Sequence, residues 1–556
     1  MIASADSGWS TDYITERKVH MQKIKDIKRR LAAAAASAVL AVTAVGGEII
    51  PSAAGAVTSG DYSYVSESSG EVTLSMSLIA GGSKIGTVYY LTTEESISEY
   101  DISLDGSPIT PEETSRGGMI TADEYAMNMT KPHNIVVKKD GTVVLDKTVT
   151  VKDYLMKVLS KPQLSSYYSI AGYLLQYGAA SQLYFGVRTD DLANKDLNGR
   201  YDCTDTWIDS EPGAARELKD SLGNKLKNAP VTYYGMNLSL RSEVRFALYF
   251  KVNSGADEDE ARAFLEDFKF DDKQADVNPA GEGFFSVSTD VPVSHILDYY
   301  KFTNGDFSVD VSPVYYLAHE FNSDDDKIVL ICKTLYEYGH MMMDREYELQ
   351  ELKNYYTREH SGEATYYELD KNNLGNAMLN DVRGDHYYAA LNTEDYNTAM
   401  MAGAYLKVTG PKGSVDVYVV DKLPEGKPGD IDLDPKAFEK IADLVDGRVN
   451  VTWKIIPFND PDKKNISYRF KNKYYNQYFS EIQILNHRYP IEKLEILKNG
   501  KMVEVERTDY NYFKDESGFG PSPYTFRITD IFGHEIIEEN VDLSSGKADG
   551  HVQFPE

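Results

Sequence analysis

The stretch Gly413–Gly447 reads GSVDVYVVDKLPEGKPGDIDLDPKAFEKIADLVDG and encodes a strand, a loop and a helix in direct succession. Alternating valines predict the strand, and a period of two residues places Asp421 on the valine face where the strand ends. Pro and Gly predict the loop. It brings four carboxylates into twelve residues: Asp421, Glu425, Asp430 and Asp432. Carboxylates at a strand end are typical of acid–base chemistry on a sugar, and a solvated charged loop is the alternative.

The helix that follows has clear start and stop signals. Asp434 predicts the N-cap, Pro435 the first helical position and Gly447 the residue beyond the end. Apolar residues at helical spacing predict the buried stripe: Phe438, Ile441, Ala442 and Val445.

Beyond Trp453 the chain predicts strands almost throughout, with a hairpin turn at Asn499-Gly500. This pattern indicates a small β-sandwich over residues 456–556. Four rings cluster between two of its strands: Tyr474, Tyr475, Tyr478 and Phe479. Clustered rings are usually core, but these have Lys, Asn and Gln as neighbours, which favours stacking on pyranose faces.

Upstream, residues 57–190 and 230–350 are predicted to be two copies of a module in which strands precede a helical hairpin. A constant offset of 161 residues relates one residue set to another: Ile170, Leu174, Tyr177 and Gly178 to Ile331, Leu335, Tyr338 and Gly339. Linkers are predicted at 191–229 and 351–361. Repeated modules are more often spacers or adhesive units than catalysts.

The N-terminal residues predict that the protein is secreted. Residues 21–56 contain a basic segment, an apolar run of 15 residues and small residues up to Ala56, the grammar of a secretory signal peptide. A membrane anchor is less favoured because a spanning helix needs about 20 apolar residues. Residues 1–20 lack this pattern. We interpret Met21 as the true start and residues 1–20 as a leader that results from a start codon assigned too far upstream. We therefore expect an extracellular protein that does not bind membranes.

Composition excludes several classes of function. Lys and Arg total 58 and Asp and Glu total 87, so the net charge is −29. Such an acidic chain is a poor binder of nucleic acid and is repelled by anionic lipid. The 41 tyrosines suit β-rich surfaces that contact ring-shaped ligands.

Cysteine and metal signals are weak. The two cysteines, Cys203 and Cys332, exclude a disulfide scaffold and a cysteine-based zinc site. Two unpaired thiols, with Cys332 in a core, are favoured over a disulfide between them. The segment 194–205 approximates the spacing of a calcium loop, but Asn194 stands where Asp is expected, which favours a solvated turn. No metal and no cofactor are predicted.

Five motifs then follow one another in order: GEATYYE (362–368), VVDKLPEG (419–426), DIDLDP (430–435), EIQILNHRYPIEKLE (481–495) and GHVQFPE (550–556). With them, residues 362–556 resemble a bacterial expansin. The resemblance implies a six-stranded double-psi β-barrel at 362–455, related to family 45 endoglucanases and barwin-like proteins. It also implies an Ig-like β-sandwich at 456–556, counted as a family 63 carbohydrate-binding module. The whole chain is then multidomain and mainly β.

The resemblance also implies the roles of individual residues. Asp432 matches the general acid of the related glycosidases, Asp421 a barrel aspartate and Thr365 a threonine that lines the groove. Two further residues would contact substrate: Glu425 in the same loop, and Tyr367, which replaces a small hydroxylated residue.

On the sandwich, three rings match a cellulose-binding platform, with a basic residue beside them: Tyr478, Phe479, Tyr510 and Lys471. The platform of the family is usually richer in Trp. Leu423 stands where a groove tyrosine is common, so one ring is missing from the barrel surface.

The leading hypothesis is a secreted, monomeric protein that binds cellulose and related β-glucans and loosens wall networks without hydrolysis. Xylan and peptidoglycan are alternative ligands. One alternative function is a weak inverting endoglucanase of the family 45 type, although Thr365 occupies the position of its base. The other is an adhesin without catalytic activity.

Overall fold

The computed structural model describes residues 72–555 apart from several short gaps: 94, 115–116, 196–211, 371, 459–464 and 472–475. The side chains of residues 212–217 and 348 are also outside the description. Several predictions therefore fall outside the described residues: the leader, the signal peptide, Cys203, the calcium-loop segment beyond Asn194, and the rings of Tyr474 and Tyr475.

The first module (residues 72–185) forms two four-stranded antiparallel sheets followed by two helices. Its strands are β1 (Val72–Ile79), β2 (Ile85–Thr93), β3 (Tyr100–Leu104), β4 (Ser107–Pro108), β5 (Glu112–Thr114), β6 (Gly117–Glu124), β7 (His133–Lys139) and β8 (Thr142–Val149). Its helices are α1 (Val151–Ser160) and α2 (Tyr168–Phe185). The sheet orders are β1-β2-β6-β5 and β4-β3-β7-β8.

The second module (residues 231–356) has the same order of strands. Its strands are β9 (Val231–Ser239), β10 (Arg245–Val252), β11 (Lys269–Phe270), β12 (Lys273–Gln274), β13 (Asp276–Pro279), β14 (Phe284–Asp290), β15 (Tyr300–Asn304) and β16 (Phe307–Val311). Its sheets are β13-β14-β10-β9 and β12-β11-β15-β16, so each strand of the first module has a counterpart eight strands later. The helices here are α3 (Pro212–Lys225) before the module and α4 (Glu258–Leu265), α5 (Val314–Glu320) and α6 (Asp326–Tyr356) within it.

The two modules share one hydrophobic core. Helix α2 packs on α6, where the rings of Tyr177 and Tyr338 stack with their centroids 6.1 Å apart. The Tyr338 hydroxyl accepts a hydrogen bond of 2.8 Å from the Gly81 amide of the first module. Cys332 is buried beside this contact face of α6, and burial raises the pKa of its thiol to about 12. Each module therefore completes the core of the other.

Helix α6 approaches the segment between β14 and β15 closely because Gly339 has no side chain. A Cβ at this position would lie 2.3 Å from Ile296 Cγ2 and 2.8 Å from the Val293 carbonyl oxygen. We expect Gly339→Ala to lower the free energy of unfolding by about 1–3 kcal/mol, because the backbone must move to relieve the overlap. Differential scanning calorimetry of the full chain measures this change in the free energy of unfolding.

Gly172 in α2 is the matched control, since a Cβ there would meet no atom within 4 Å. Gly172→Ala should raise stability by about 1 kcal/mol through helix propensity alone. Equal effects of the two substitutions would contradict the packing argument.

Both predicted linkers contain regular structure. Helix α3 occupies residues 212–225, and α6 continues to Tyr356 before the next strand begins at His360. No helix of the described residues is long and apolar enough to cross a membrane.

A closed six-stranded barrel follows. Its strands are β17 (His360–Tyr366), β18 (Tyr387–Asn392), β19 (Tyr405–Gly410), β20 (Gly413–Leu423), β21 (Ile431–Leu433) and β22 (Val449–Ile456). The order around the barrel is β17-β21-β18-β20-β19-β22, with β17 parallel to β21 and β18 parallel to β20. Two short helices accompany it: α7 (Thr393–Tyr396) and α8 (Pro435–Ile441).

Helix α8 starts as predicted but ends early. Asp434 caps it by accepting a hydrogen bond from the Lys436 amide at 2.9 Å. The predicted inclusion of Val445 in the buried stripe is wrong, because that side chain is 92% exposed. The helix ends at Ile441, and Asp443 caps a separate 3-10 turn at Leu444–Asp446.

The C-terminal sandwich has two antiparallel sheets, ordered β27-β28-β24-β23-β31 and β26-β25-β29-β30. Its strands are β23 (Ser467–Phe470), β24 (Ser480–Leu485), β25 (Ile491–Lys498), β26 (Lys501–Glu504), β27 (Glu506–Arg507), β28 (Phe513–Asp515), β29 (Tyr524–Asp530), β30 (Glu535–Val541) and β31 (Lys547–Asp549). The predicted Asn499-Gly500 turn joins β25 to β26, with both residues at positive φ. We call β27-β28-β24-β23-β31 the front sheet and the other the back sheet.

The outer face of the back sheet is covered by the first module. Ile537 joins the shared core of the two modules. Arg527 forms a buried two-point ion pair with Glu495, at 2.7 and 2.8 Å, and also donates to Ser165 Oγ at 3.1 Å. Ser166 donates to the buried carboxylate of Glu535 at 2.5 Å. The modules therefore leave the front sheet free for other contacts.

Candidate functional site

Four residues form a row across four neighbouring barrel strands. Thr365 on β17 pairs with Asp432 on β21, Asp432 pairs with Ala390 on β18, and Ala390 pairs with Asp421 on β20. Residues paired in this way share one face of a sheet. The two aspartates therefore flank Ala390, with Cα atoms roughly 10 Å apart at about 4.8 Å per strand. We call these four positions the barrel row.

Asp421 reaches this row through a β-bulge. Val419 pairs with Ala389 and Asp421 pairs with Ala390, so Val420 is an extra residue in the strand. The expectation that Asp421 shares the face of the alternating valines is wrong, because the extra residue reverses the alternation. The bulge turns the carboxylate onto the face that carries Asp432.

Asp432 lies half-buried in the row. Its Oδ1 accepts a hydrogen bond of 2.8 Å from the Thr365 hydroxyl. Burial raises the pKa of the Asp432 carboxyl, the Thr365 hydrogen bond opposes this, and the negative charge of Glu425 raises the pKa further. Glu425 thus acts on the row electrostatically. Asp432 holds its proton to a higher pH than an ordinary aspartate does.

This geometry predicts an effect of Glu425 on proton binding. We expect Glu425→Gln to lower the pKa of the Asp432 carboxyl, because a like charge near it is removed. Infrared spectroscopy of the carboxyl band follows the titration of each protein. Subtracting the titration of the same protein with Asp432→Asn isolates the pKa of Asp432. Glu439→Gln, on the exposed side of α8, is the control and should leave the titration unchanged. An unchanged pKa in Glu425→Gln would refute the electrostatic link.

Asp421 and Tyr367 complete the barrel side of the site. Asp421 Oδ1 accepts hydrogen bonds from the amides of Asn376, at 2.7 Å, and Lys422, at 2.9 Å. The Tyr367 hydroxyl oxygen is buried without a hydrogen bond of ordinary geometry. Burial raises the pKa of this hydroxyl, and the negative charges of Asp421 and then of Asp432 add to the increase. Tyr367 is therefore close to both carboxylates and keeps its proton at neutral pH.

On the sandwich, the predicted platform residues lie on and beside the front sheet. Tyr478 is 74% exposed and Phe479 is 37% exposed. Tyr510 donates a hydrogen bond of 2.6 Å to Glu481 Oε1. Lys471 Nζ lies 4.0 Å from the centroid of the Tyr510 ring and 3.0 Å from the same Glu481 oxygen. The Tyr510 ring is thus held in place, whereas Tyr478 projects into solvent.

Two residues that sequence reasoning missed link the barrel row to the platform. The side-chain amide of Asn376, whose backbone binds Asp421, donates to the Asp509 carbonyl oxygen at 2.7 Å. Lys422 pairs with the Asp509 carboxylate at 2.5 Å. Asp509 directly precedes Tyr510, so the chain of contacts runs from the barrel row to the first platform ring. Asn376 and Asp509 lie in the segments LGNAML (374–379) and TDYNYF (508–513), and no periodicity of the sequence indicates that these segments meet.

Further contacts fix the barrel on the front sheet. Arg469 donates to Asp381 at 2.7 Å and to the Met378 carbonyl at 2.5 Å. Gln483 and Asn511 both donate to the Ala377 carbonyl, at 2.9 and 3.2 Å. These polar contacts, of which the two to the Ala377 carbonyl are buried, hold the two domains in one orientation. No group of His, Cys, Asp and Glu suited to hold a metal occurs among the described residues.

Comparison with known proteins agrees with this geometry. Expansin-YoaJ from Bacillus subtilis (strain 168) is 38% identical over 209 residues, which cover 35% of this chain and 87% of that protein. The chain belongs to the expansin family. Expansin-like protein 2 from Dictyostelium discoideum is 25% identical over 187 residues, 32% of this chain and 45% of that protein.

Among solved structures, a mutant Clavibacter michiganensis expansin in complex with cellohexaose is 27% identical. The match covers 36% of this chain and 99% of that one, with a TM-score of 0.33. No family model matches the chain. These alignments cover 32–36% of this expansin.

Proposed function

We propose that this expansin is a secreted protein that binds one β-glucan strand along the barrel row and the platform, and loosens glucan packing without cutting it. The observation that carries the proposal is a path across two domains. The barrel row places Thr365, Asp432 and Asp421 on one face, and Asn376 and Asp509 join Asp421 to Tyr510. A rigid path over two domains suits an extended, uniform polymer better than a small substrate. The signal peptide at 21–56 and a monomeric state are parts of this proposal.

The two ends of the path have different roles. The rings of Tyr478, Phe479 and Tyr510 offer apolar area to the flat faces of pyranose rings. Asp432, Thr365 and Asp421 offer hydrogen-bond partners to sugar hydroxyls, and a hydrogen bond to a charged group is worth about 1.5–3 kcal/mol. A glucan strand held by both would exchange hydrogen bonds with neighbouring strands for bonds with the protein. The network would weaken under load.

Hydrolysis is the second candidate, and the raised pKa of Asp432 favours it because a general acid needs a proton at neutral pH. An inverting enzyme also needs a base on the opposite face of the sugar, with the two carboxyls roughly 6.5–9.5 Å apart. Thr365 cannot act as that base, and its hydroxyl is bonded to Asp432. Asp421 lies on the same face of the barrel as Asp432, which disfavours attack from the other side.

Three assays separate the candidates. Loosening predicts that cellulose paper weakens under load while no reducing ends appear. A glycosidase would release soluble sugar, and an adhesin would bind cellulose without weakening it. Sustained sugar release, or binding without weakening, would overturn the proposal.

The proposed ligand is a neutral glucan, with cellulose first. A net charge of −29 opposes the approach of acidic wall polymers. Parallel retention assays on cellulose, xylan and peptidoglycan rank the alternatives. Preference for peptidoglycan would contradict the neutral-glucan assignment.

A further inference from the structure

The second module exposes an aromatic ring that the fold does not require. Tyr234 lies on β9, an edge strand of the sheet β13-β14-β10-β9, and is 71% exposed. Among the described residues, Tyr234 and Tyr478 of the platform, which is 74% exposed, are the two most exposed aromatic side chains. A single exposed ring is common on protein surfaces, so the exposure of Tyr234 gains meaning from the residues around it.

Comparison of the two modules shows that Tyr234 is an inserted residue. In the first module, β1 and β2 pair without interruption from Val72 to Ile79. In the second, Tyr233 pairs with Phe250 and Gly235 with Tyr249, which leaves Tyr234 as the extra residue of a β-bulge. The first module forms the same sheet without this residue. A bulge re-aims a side chain, and bulges are frequent beside functional sites.

The neighbours of Tyr234 extend the surface. Its ring contacts that of Phe284 edge to face, with centroids 5.0 Å apart. Lys251 pairs with Phe284 across the strands, and its Nζ lies 5.8 Å from the centre of the Phe284 ring. Among the described residues Lys251 forms no ion pair, although Asp and Glu outnumber Lys and Arg by 87 to 58. Its ammonium is therefore available to hydroxyl oxygens.

One part of the platform contains the same residue types. Tyr478 is exposed beside Phe479, and Lys514 Nζ lies 5.8 Å from the centre of the Phe479 ring. Both surfaces join an exposed tyrosine, a second ring and a lysine on the outside of an antiparallel sheet. We propose that Tyr234, Phe284 and Lys251 form a second saccharide-binding surface, which takes a neutral polysaccharide with exposed pyranose faces.

The charge of the chain favours a neutral polysaccharide over an anionic ligand at this surface. The net charge of −29 repels polyanions, whereas the unpaired ammonium of Lys251 suits a ligand rich in hydroxyl acceptors. Two saccharide surfaces on one rigid chain would bind a polysaccharide together, and avidity raises retention above that of either surface.

Protection from nitration tests the two surfaces independently. Tetranitromethane modifies exposed tyrosines, and mass spectrometry of the full chain gives a separate rate for each. Cellohexaose and xylohexaose are the probes. At saturation we expect at least one of them to slow nitration of Tyr234 about threefold or more, since a stacked sugar covers the ring. Tyr355, 42% exposed on α6, is the internal control and should react at an unchanged rate.

An unchanged rate at Tyr234 with both probes would overturn the second surface. The rate at Tyr478 reports on the platform, so failure of the proposed function is seen separately.

Substitution gives the second test. We expect Tyr234→Ala in the full chain to lower retention on amorphous cellulose or on xylan about fivefold, because one of two linked contacts is lost. Tyr234→Phe keeps the ring and should bind as the wild type does, and so should the control Tyr355→Ala. Wild-type retention of Tyr234→Ala on both polysaccharides would overturn the proposal.

Discussion

Replacing Tyr478, Phe479 and Tyr510 together by alanine is expected to weaken binding to cellulose about a hundredfold or more. Each ring buries apolar area against a sugar face, worth about 1–2 kcal/mol at about 25 cal/mol per Å². The summed contribution of three rings is larger than about 2.8 kcal/mol, the free energy that corresponds to a hundredfold change in affinity. Depletion of the full-length protein from solution by microcrystalline cellulose measures the effect.

The control for this variant is Tyr355→Ala, which removes an exposed ring of the same type far along the chain from the platform. Tyr478 and Phe479 are partly or largely exposed, so their loss should leave the sandwich folded. The sandwich core lies beneath the platform. Any damage to this core would therefore lower the unfolding temperature, which calorimetry measures. A folded triple variant that cellulose retains like the wild type would refute the platform.

Single substitutions should divide this loss unequally. Tyr510 has a fixed ring, since its hydroxyl bonds Glu481 and Lys471 lies over its face. Tyr478 is 74% exposed, so its side chain has more rotational freedom to lose on binding. Tyr510→Ala is therefore expected to cost more affinity than Tyr478→Ala, as measured by the same depletion assay. The reverse order would contradict this argument from preorganisation.

The fold was largely predictable where local signals agree with the tertiary structure. Asn499-Gly500 forms its hairpin turn because both residues tolerate positive φ. Asp434 and Pro435 begin their helix because cap and first-turn chemistry depend on neighbouring residues alone. The mainly β class with a closed barrel follows from such local signals together with the family resemblance.

Two β-bulges show why the rest could not be predicted. Val420 reverses the face of Asp421, and Tyr234 interrupts a ladder that the first module completes. A bulge depends on which partner strand a residue meets, and alternation within one strand does not contain that information. The same limit hid Asn376 and Asp509, since their contact joins two domains.

The docking of the modules on the back sheet explains how one chain could use two saccharide surfaces. Arg527 and Glu535 tie the sandwich to the segment around Ser166, so the first module is fixed and not tethered. Hydrogen bonds to buried charged groups of this kind are worth about 1.5–3 kcal/mol each. Linked binding surfaces gain most when their spacing is fixed at a span the ligand can match.

Asp432→Asn is expected to abolish the weakening of cellulose paper while leaving platform binding intact. Asparagine keeps the shape of aspartate and one acceptor oxygen for the Thr365 hydroxyl, so the row should remain folded. It removes the ionisable oxygen that would bond a sugar hydroxyl, at a cost of about 1.5–3 kcal/mol, or roughly ten- to hundredfold in occupancy of the groove. Paper under constant load measures weakening, and cellulose depletion measures binding.

The same variant separates loosening from hydrolysis. Hydrolysis needs Asp432 as a proton donor and a base on the far side of the sugar, whereas Asp421 shares the face of Asp432 through their common partner Ala390. The wild-type protein should therefore weaken paper without releasing reducing ends, and Glu439→Gln, the exposed control on α8, should do the same. Release of cello-oligosaccharides by the wild type, lost in Asp432→Asn, would instead identify Asp432 as the acid of an active glycosidase. In that case Asp421 would have to act from across the sugar, against the register of the barrel strands.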